Sequence, residues 1–178
     1  MNPLLRAIGG LAALFLLMVL IGFVLPGHYR VERTVVVQAP VEKVFSHVAD
    51  LRNWPSWAVL FERDPALKLV SSEQTAGVGS TISWQSATQG NGSVEVTLYD
   101  PPKRMGYRLH FPDFGMTSRG DFTVTPVAGG GFEVRWGDEG EIALNPIHRW
   151  MGLFMDRMLG PDFEAGLAKL KQVVEATP

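Results

Sequence analysis

Three carboxylates stand close together in the second half of the chain, at Asp138, Glu139 and Glu141. A pair of carboxylates can perform acid–base chemistry when one of them is buried beside the other, because burial raises its pKa. Gly137 and Gly140 flank these residues, however, and such glycines favour an exposed connection between elements. We therefore expect solvated carboxylates here, with an acid–base pair as the alternative.

The four histidines, His28, His47, His110 and His148, are dispersed along the chain. Their spacing matches neither HxxxH nor HExxH, so it indicates no metal site. His110 falls on a predicted strand and is the one histidine with a chance of touching a ligand, depending on which face of the sheet turns inward. The chain contains no cysteine, which excludes disulfides, thiolate zinc sites and cysteine nucleophiles.

Motifs for other chemistry are missing from the sequence as well. It contains no Gly-x-Ser-x-Gly elbow and no GxGxxG or Walker-type loop, so neither a serine hydrolase nor a nucleotide cofactor is indicated. The net charge of -2 comes without a cluster of Lys or Arg, which argues against a nucleic-acid partner. We predict no catalytic residue, no metal and no cofactor, and we favour a protein that is not an enzyme.

Most of the chain consists of short alternating runs of apolar residues, separated by Gly and Pro. This pattern predicts an antiparallel meander with one wet face. The first strand is followed by two short helical stretches, 41–49 and 50–57. The predicted strands cover 29–38, 67–72, 80–86, 93–99, 104–111, 117–125 and 132–139.

The C-terminal segment is predicted to be helical from Asn145, a good N-cap followed by a proline. We expect Gly160-Pro161 to break or kink this helix, because proline lacks the backbone N–H that the helix needs. Apolar residues recur along the segment every three to four positions. They are Ile147, Trp150, Met151, Phe154, Met158, Phe163, Leu167, Leu170 and Val174.

The N-terminal run 7–25 contains no charged residue. As a helix it would be about 28 Å long, close to the hydrocarbon thickness of a bilayer. We expect a membrane anchor at 4–25, a linker at 26–30 and one domain at 31–175, and therefore a single-pass membrane protein. A cleaved signal peptide is the main alternative and a buried core helix the weaker one. Basic residues on both sides of the run leave the orientation open.

Two segments resemble the START-like, Bet v 1-like (SRPBCC) superfamily, and specifically its bacterial polyketide cyclase/dehydrase-like family. The opening segment is VERTVVVQAPVEKVFSHVADLRNWPSW, and the closing helix is GPDFEAGLAKLKQVVE. The resemblance covers about 31–175. Its matching features are Ala39-Pro40, Val44-Phe45, Asp50, the Trp54-x-x-Trp57 spacing and the helix at 160–175.

This resemblance implies an α+β helix-grip fold, in which a curved antiparallel sheet of about seven strands surrounds the long C-terminal helix. The two short helices would close one end of a cavity between sheet and helix. We expect the deepest contacts from Phe154 and Met158, with the Tyr107 hydroxyl orienting the ligand; core packing is the alternative role of such large residues. The candidate ligand-binding residues are Trp57, Trp84, Tyr107, Phe111, Phe122, Trp136, Phe154, Met155 and Met158.

We accordingly predict a membrane-anchored module that binds an apolar or lipid-like small molecule without catalysing a reaction. The alternative that the family name suggests is a cyclase/dehydrase-type enzyme acting on an apolar substrate. A stress-related or chaperone-like interaction protein is a weaker alternative. An inward-facing acid with a strongly perturbed pKa would favour the enzyme, and a purely apolar lining would favour the carrier.

Overall fold

The computed structural model describes residues 3–142 and 145–176. The helices are α1 (Pro3–Val24), α2 (Val41–Ala49), α3 (Val59–Glu62), α4 (Pro146–Gly152) and α5 (Met155–Ala176), with 3₁₀ helices at Leu51–Ser56 and Pro112–Phe114. The strands are β1 (His28–Val37), β2 (Lys68–Ser71), β3 (Thr81–Gln85), β4 (Gly92–Asp100), β5 (Arg104–Phe111), β6 (Met116–Pro126) and β7 (Phe132–Glu141).

The seven strands form one antiparallel sheet in the order β1-β7-β6-β5-β4-β3-β2. Strands β2 to β7 therefore form a meander, and β1 joins it by pairing with β7. The curved sheet surrounds the long helix α5, which packs most extensively on β1. This is the helix-grip arrangement, and it confirms the α+β fold and the seven strands that the sequence predicts.

The core lies between the inner face of the sheet and the helices. On α2 the buried residues are Val44, Phe45, Val48 and Ala49, the spacing that one face of a helix requires. The 3₁₀ helix at Leu51–Ser56 follows directly, where the second short helical stretch is predicted. We call α2 and this 3₁₀ helix the lid. The sheet and the lid meet over one continuous apolar core.

Helix α5 runs through Gly160-Pro161 without interruption, so the predicted break at this point is wrong. The interruption lies earlier, at Leu153 and Phe154, between α4 and α5. A Cβ on Gly160 would lie 2.1 Å from the Arg33 guanidinium of β1, so a larger residue there would require the Arg33 side chain to move. The tight approach of α5 to the sheet keeps the helix in place despite the missing N–H of Pro161.

The N-terminal helix α1 contacts the domain through its last turns, which pack on α4, and exposes apolar side chains along most of its length. Residues 6–24 are long and apolar enough to cross a membrane. Strand β1 begins at His28, three residues before the expected start of the domain. The expected linker 26–30 is therefore reduced to the residues before His28, and the rest of it is strand.

Candidate functional site

A cavity of about 180 Å³ lies between the inner face of the sheet, the segment around α3 and the first half of α5. Its walls are mostly aromatic and aliphatic. The lining residues are Tyr29, Trp54, Ala58, Val59, Leu60, Phe61, Trp84, Val94, Tyr107, Leu109, Phe111, Met116, Thr117, Ser118, Trp136, Asp138, Met155, Leu159, Asp162 and Phe163.

The structure brings five of the nine sequence-predicted ligand-binding residues to this cavity. They are Trp84, Tyr107, Phe111, Trp136 and Met155. The four on strands lie on the inward-facing side that the alternation in the sequence predicts, and Met155 lies on the inward-facing side of α5. Whether any of them contacts a ligand stays a prediction.

The other four lie outside the lining. Trp57 and Phe122 are fully buried in the core, with their ring centroids 5.8 Å apart, so packing is their role here. Phe154 and Met158 are 54% and 60% exposed. They point away from the cavity, which corrects the expectation that they make its deepest contacts.

The correction at Phe154 and Met158 has a simple geometric cause. Counting back from the buried Phe163 in steps of four gives Leu159 and Met155, and both line the cavity. The expectation for Phe154 and Met158 instead continues the phase of α4 across the break at Leu153. Each helix has its own apolar face, and the two faces are not in phase.

The cavity contains one buried acid, Asp138, which is 4% exposed on β7. Three hydroxyls donate hydrogen bonds to its carboxyl group: Tyr29 Oη at 3.3 Å to Oδ1, and Tyr107 Oη at 3.3 Å and Ser118 Oγ at 3.1 Å to Oδ2. Trp136 Nε1 donates to Tyr107 Oη at 2.8 Å, which directs the tyrosine proton to the carboxyl group. We call Tyr29, Tyr107, Ser118 and Asp138 the polar cluster.

The strand register assembles this polar cluster. Gly120 of β6 is paired with Tyr107 on one side and with Asp138 on the other. Because a Cβ on Gly120 would lie 2.0 Å from Tyr107 Cζ, only glycine leaves room for the phenol ring there. Gly140 plays the same part for Tyr29, whose Cε1 would lie 2.5 Å from an added Cβ. Two glycines thus allow two tyrosines to lie flat against the sheet and reach one carboxyl group.

Burial raises the pKa of Asp138 to about 7, because an ionised carboxyl group is poorly solvated there. The hydrogen bonds from Ser118, Tyr107 and Tyr29 act in the opposite direction, since they stabilise the charged form, while the nearby charge of Glu139 adds to the increase. Burial likewise raises the pKa of both Tyr29 and Tyr107, so both phenols remain hydrogen-bond donors. The polar cluster can therefore hold or release a proton near neutral pH.

The inward orientation of Asp138 differs from the solvated carboxylates expected at this point of the chain. The flanking glycines predict an exposed connection here, but β7 extends to Glu141, and Asp138 faces inward. The alternation that places Val134 and Trp136 on the inner face continues to position 138, and this was the available signal. Glu139 and Glu141 are exposed, as expected.

The histidines lie away from the cavity. His28 and His148 are exposed, and the half-buried His47 donates to the Lys43 carbonyl within α2. His110 is exposed and shares a hydrogen bond with Thr117, so it lies on the polar side of the sheet. Among residues 3–142 and 145–176, no group of three His, Asp or Glu could hold a metal ion.

Residues 28–175 match the protein family described as polyketide cyclase / dehydrase and lipid transport. The chain belongs to this family. The match covers the whole sheet and almost all of α5, and it starts where β1 starts. No curated protein sequence matches the chain.

Solved structures share this fold at low sequence identity. Protein CV1439 from Chromobacterium violaceum is 19% identical with a TM-score of 0.57, and the match covers 84% of this chain and 99% of that one. Norcoclaurine synthase from Thalictrum flavum, solved with dopamine and hydroxybenzaldehyde, is 13% identical with a TM-score of 0.60, covering 89% and 92%. A Staphylococcus aureus protein of unknown function has a TM-score of 0.65 at 12% identity, covering 84% and 94%.

Proposed function

We propose that this family member binds a small apolar molecule with one polar group, and that α1 tethers the protein to a membrane. The observation that carries the proposal is an apolar cavity with a single polar cluster at Asp138. Apolar walls give affinity, and a few convergent polar groups fix the orientation of the ligand.

The size of the cavity limits the ligand. A volume of about 180 Å³ slightly exceeds the 150 Å³ or so of an engineered cavity that holds benzene, and it is below the roughly 300–1,000 Å³ of drug-sized sites. One aromatic ring or a short acyl segment fits, and a whole lipid chain does not. Support comes from norcoclaurine synthase, whose structure contains dopamine and hydroxybenzaldehyde, both of which are single-ring molecules.

Two neighbouring positions on α5 provide a matched test of this binding site. Leu159 lines the cavity, whereas Met158 is exposed. In Leu159→Trp the larger side chain fills the cavity, so we expect at least a tenfold loss of affinity for the probe 4-methylphenol. Met158→Trp serves as the control and keeps wild-type affinity.

The measurement is ligand-observed NMR on the full-length protein in detergent, where the control also corrects for partition into micelles. Native mass spectrometry of the purified protein would identify a co-purifying ligand. Equal affinity in wild type and in a well-folded Leu159→Trp variant would rule out this cavity as the site.

Catalysis by a cyclase-type enzyme is the second candidate function, and Asp138 specifically favours it. A carboxyl group with a pKa of about 7 can both accept and donate a proton near neutral pH, as a general acid–base group must. In a cyclase-type reaction its role would be to take a proton from the carbon next to a substrate carbonyl, with Tyr107 as a hydrogen-bond donor to the oxygen.

Hydrogen–deuterium exchange separates the two candidates. The protein would be incubated in D₂O with small ketones such as acetophenone, and deuterium incorporation next to the carbonyl followed by NMR. Exchange above background that disappears in Asp138→Asn supports the enzyme. Binding of 4-methylphenol without exchange of any ketone supports the carrier.

A further inference from the structure

One end of the domain presents a group of large apolar side chains to solvent. Their exposed fractions lie between 43% and 62%. Met151, Leu153, Phe154 and Met158 come from α4, the α4–α5 junction and the start of α5, and Phe114 and Met116 come from the turn between β5 and β6 and the first residue of β6. We call these six residues the apolar rim. Such a concentration on a protein surface indicates an interaction site.

The apolar rim lies at the end of the domain where α1 enters. Ser118 pairs with Gly140, and Gly140 pairs with Tyr29 at the start of β1. The turn that carries Phe114 and Met116 therefore lies at the same end of the sheet as the beginning of β1, with β7 between β6 and β1. The Ile142 amide donates to the Gly27 carbonyl at 2.8 Å, which joins the end of β7 to the same place.

Helix α4 is attached to the last turns of α1. Trp150 Nε1 donates to the Met18 carbonyl at 3.0 Å, and the Arg149 guanidinium donates to the carbonyls of Phe23 and Leu25 at 2.9 and 3.1 Å. The two helices approach so closely that a Cβ on Gly22 would lie 2.3 Å from the Pro146 carbonyl oxygen. Met18 is six residues before the end of α1, or about 9 Å along its axis.

This attachment fixes the depth of α4 relative to α1. When α1 crosses a bilayer, its last 9 Å or so lie in the outer part of the hydrocarbon region and reach the headgroups. Helix α4 and the part of the apolar rim that adjoins it then lie at the same level, beside the exposed apolar side chains of α1. An apolar face at this depth is typical of helices that lie in the membrane interface.

The rim and the cavity are built from the same two segments. Met155 and Leu159 line the cavity, whereas Phe154 and Met158, one residue earlier in each case, face outward. Met116 belongs to both the lining and the rim. The rim therefore borders the cavity.

We propose that α4 and the apolar rim insert into the bilayer interface, so that the cavity exchanges its ligand with the lipid phase. The proposal rests on the membrane tether of the proposed function and names the face that meets the bilayer. A second copy of the chain is a less suitable occupant, because α1 exposes apolar side chains beside the rim that a protein partner would leave uncovered.

The absence of cysteine from the chain makes the test direct. Met151→Cys and Phe154→Cys would each be labelled with the polarity-sensitive NBD fluorophore in the full-length protein, reconstituted into phosphatidylcholine–phosphatidylglycerol vesicles. Val78→Cys is the matched control, because Val78 is also exposed, at 63%. It lies just before the start of β3, whereas Trp84, which lines the cavity, lies near the other end of that strand. Quenching is measured with nitroxide-labelled lipid and with aqueous iodide.

We expect lipid nitroxide to quench the labels at 151 and 154 at least threefold more than the label at 78, and iodide to show the reverse order. Iodide quenching at 151 and 154 equal to that at 78 would overturn the proposal. Protection from both quenchers would also overturn it, since it would indicate a protein partner. Binding of 4-methylphenol, measured on the same labelled proteins in detergent, tests the cavity independently of the rim.

A charged double variant tests the consequence for exchange. In Phe154→Asp/Met158→Asp, we expect 4-methylphenol affinity in detergent to stay at the wild-type value. Transfer of a hydrophobic ligand from vesicles, such as 4-pentylphenol, should become at least fivefold slower. An unchanged transfer rate, with the fold retained by circular dichroism, would contradict entry through the rim.

Discussion

At the scale of single residues, Asp138 couples the cavity to pH. Because its pKa rises from 3.8 to about 7 on folding, the native state binds a proton that the unfolded state has released. The free energy of unfolding should therefore decrease from about pH 4 to about pH 7, by on the order of 1 kcal/mol per pH unit, and level off above. Asp138→Asn should remove this decrease, which thermal melts of the detergent-solubilised protein between pH 4 and pH 8 would measure.

The control for this prediction is Glu139→Gln, which removes an exposed carboxylate next to Asp138 on the same strand. It should keep most of the pH dependence of the wild type. The informative quantity is the difference in the free energy of unfolding between variant and wild type at each pH. An Asp138→Asn profile parallel to that of the wild type would show that the carboxyl group is not protonated on folding.

Gly120 is the second residue whose identity the cavity requires. In Gly120→Ala the new methyl group meets the Tyr107 ring, so the ring must move and its hydrogen bond to Asp138 must weaken. We expect a loss of about 1–3 kcal/mol in the free energy of unfolding, together with weaker binding of 4-methylphenol. Denaturant titration measures the first effect, and NMR the second.

Gly10→Ala provides the comparison, because nothing lies within 4 Å of an added Cβ at that position in α1. It should leave stability and binding unchanged. If Gly120→Ala behaves like Gly10→Ala, the close packing of Tyr107 against β6 is not a requirement of the site.

Among the secondary-structure elements, the lid is stabilised by the buried side chains of Trp54 and Trp57. Trp54 Nε1 donates to the Val48 carbonyl at 2.9 Å, and Trp57 Nε1 donates to the His47 carbonyl at 3.1 Å. Both carbonyls lie near the end of α2, where carbonyl groups lack partners within the helix. Trp54→Ala and Trp57→Ala should each cost roughly 3–5 kcal/mol, because each removes a buried aromatic side chain.

Tyr99→Ala is the comparison for the two tryptophans, since Tyr99 is an aromatic residue that remains partly exposed. It should be clearly less destabilising than either tryptophan variant. Thermal denaturation followed by near-ultraviolet circular dichroism measures all three. Tryptophan variants that melt within a degree or two of wild type would be inconsistent with this role of the lid.

Strands were easier to predict than the orientation of helix faces. The alternation in 104–111 gives β5 its correct bounds, because side chains of a strand alternate regardless of what the strand contacts. The face that α5 turns to the sheet depends on where α4 ends. Gly152 stands at that end, but the apolar spacing of three to four residues continues across it from Met151 to Phe154 and Met158. Asp138 was missed for a related reason, since strand pairing with β6 overrode the local preference of Gly137 for a turn.

At the scale of the whole molecule, the sequence predicts the fold well and the site in part. The family motifs at Asp50, Trp54 and Trp57 are framework residues: Asp50 accepts a hydrogen bond at the start of the 3₁₀ helix, and the two indoles fasten it. The polar cluster, in contrast, combines residues from β1, β5, β6 and β7, and only the register of the sheet brings them together. Contacts between distant parts of a chain leave no local pattern.

The last prediction concerns α1. If it crosses the membrane, the full-length protein should remain in the membrane pellet after carbonate extraction, which removes proteins held only by their surface. Replacing Leu14 and Leu17 by Arg places two charges in the middle of α1, where each costs roughly 2.5–3.5 kcal/mol on the insertion scale. This variant should move to the soluble fraction, whereas Leu14→Ala/Leu17→Ala should stay in the pellet. Recovery of a wild-type soluble form beginning near His28, identified by mass spectrometry, would instead identify α1 as a cleaved signal peptide.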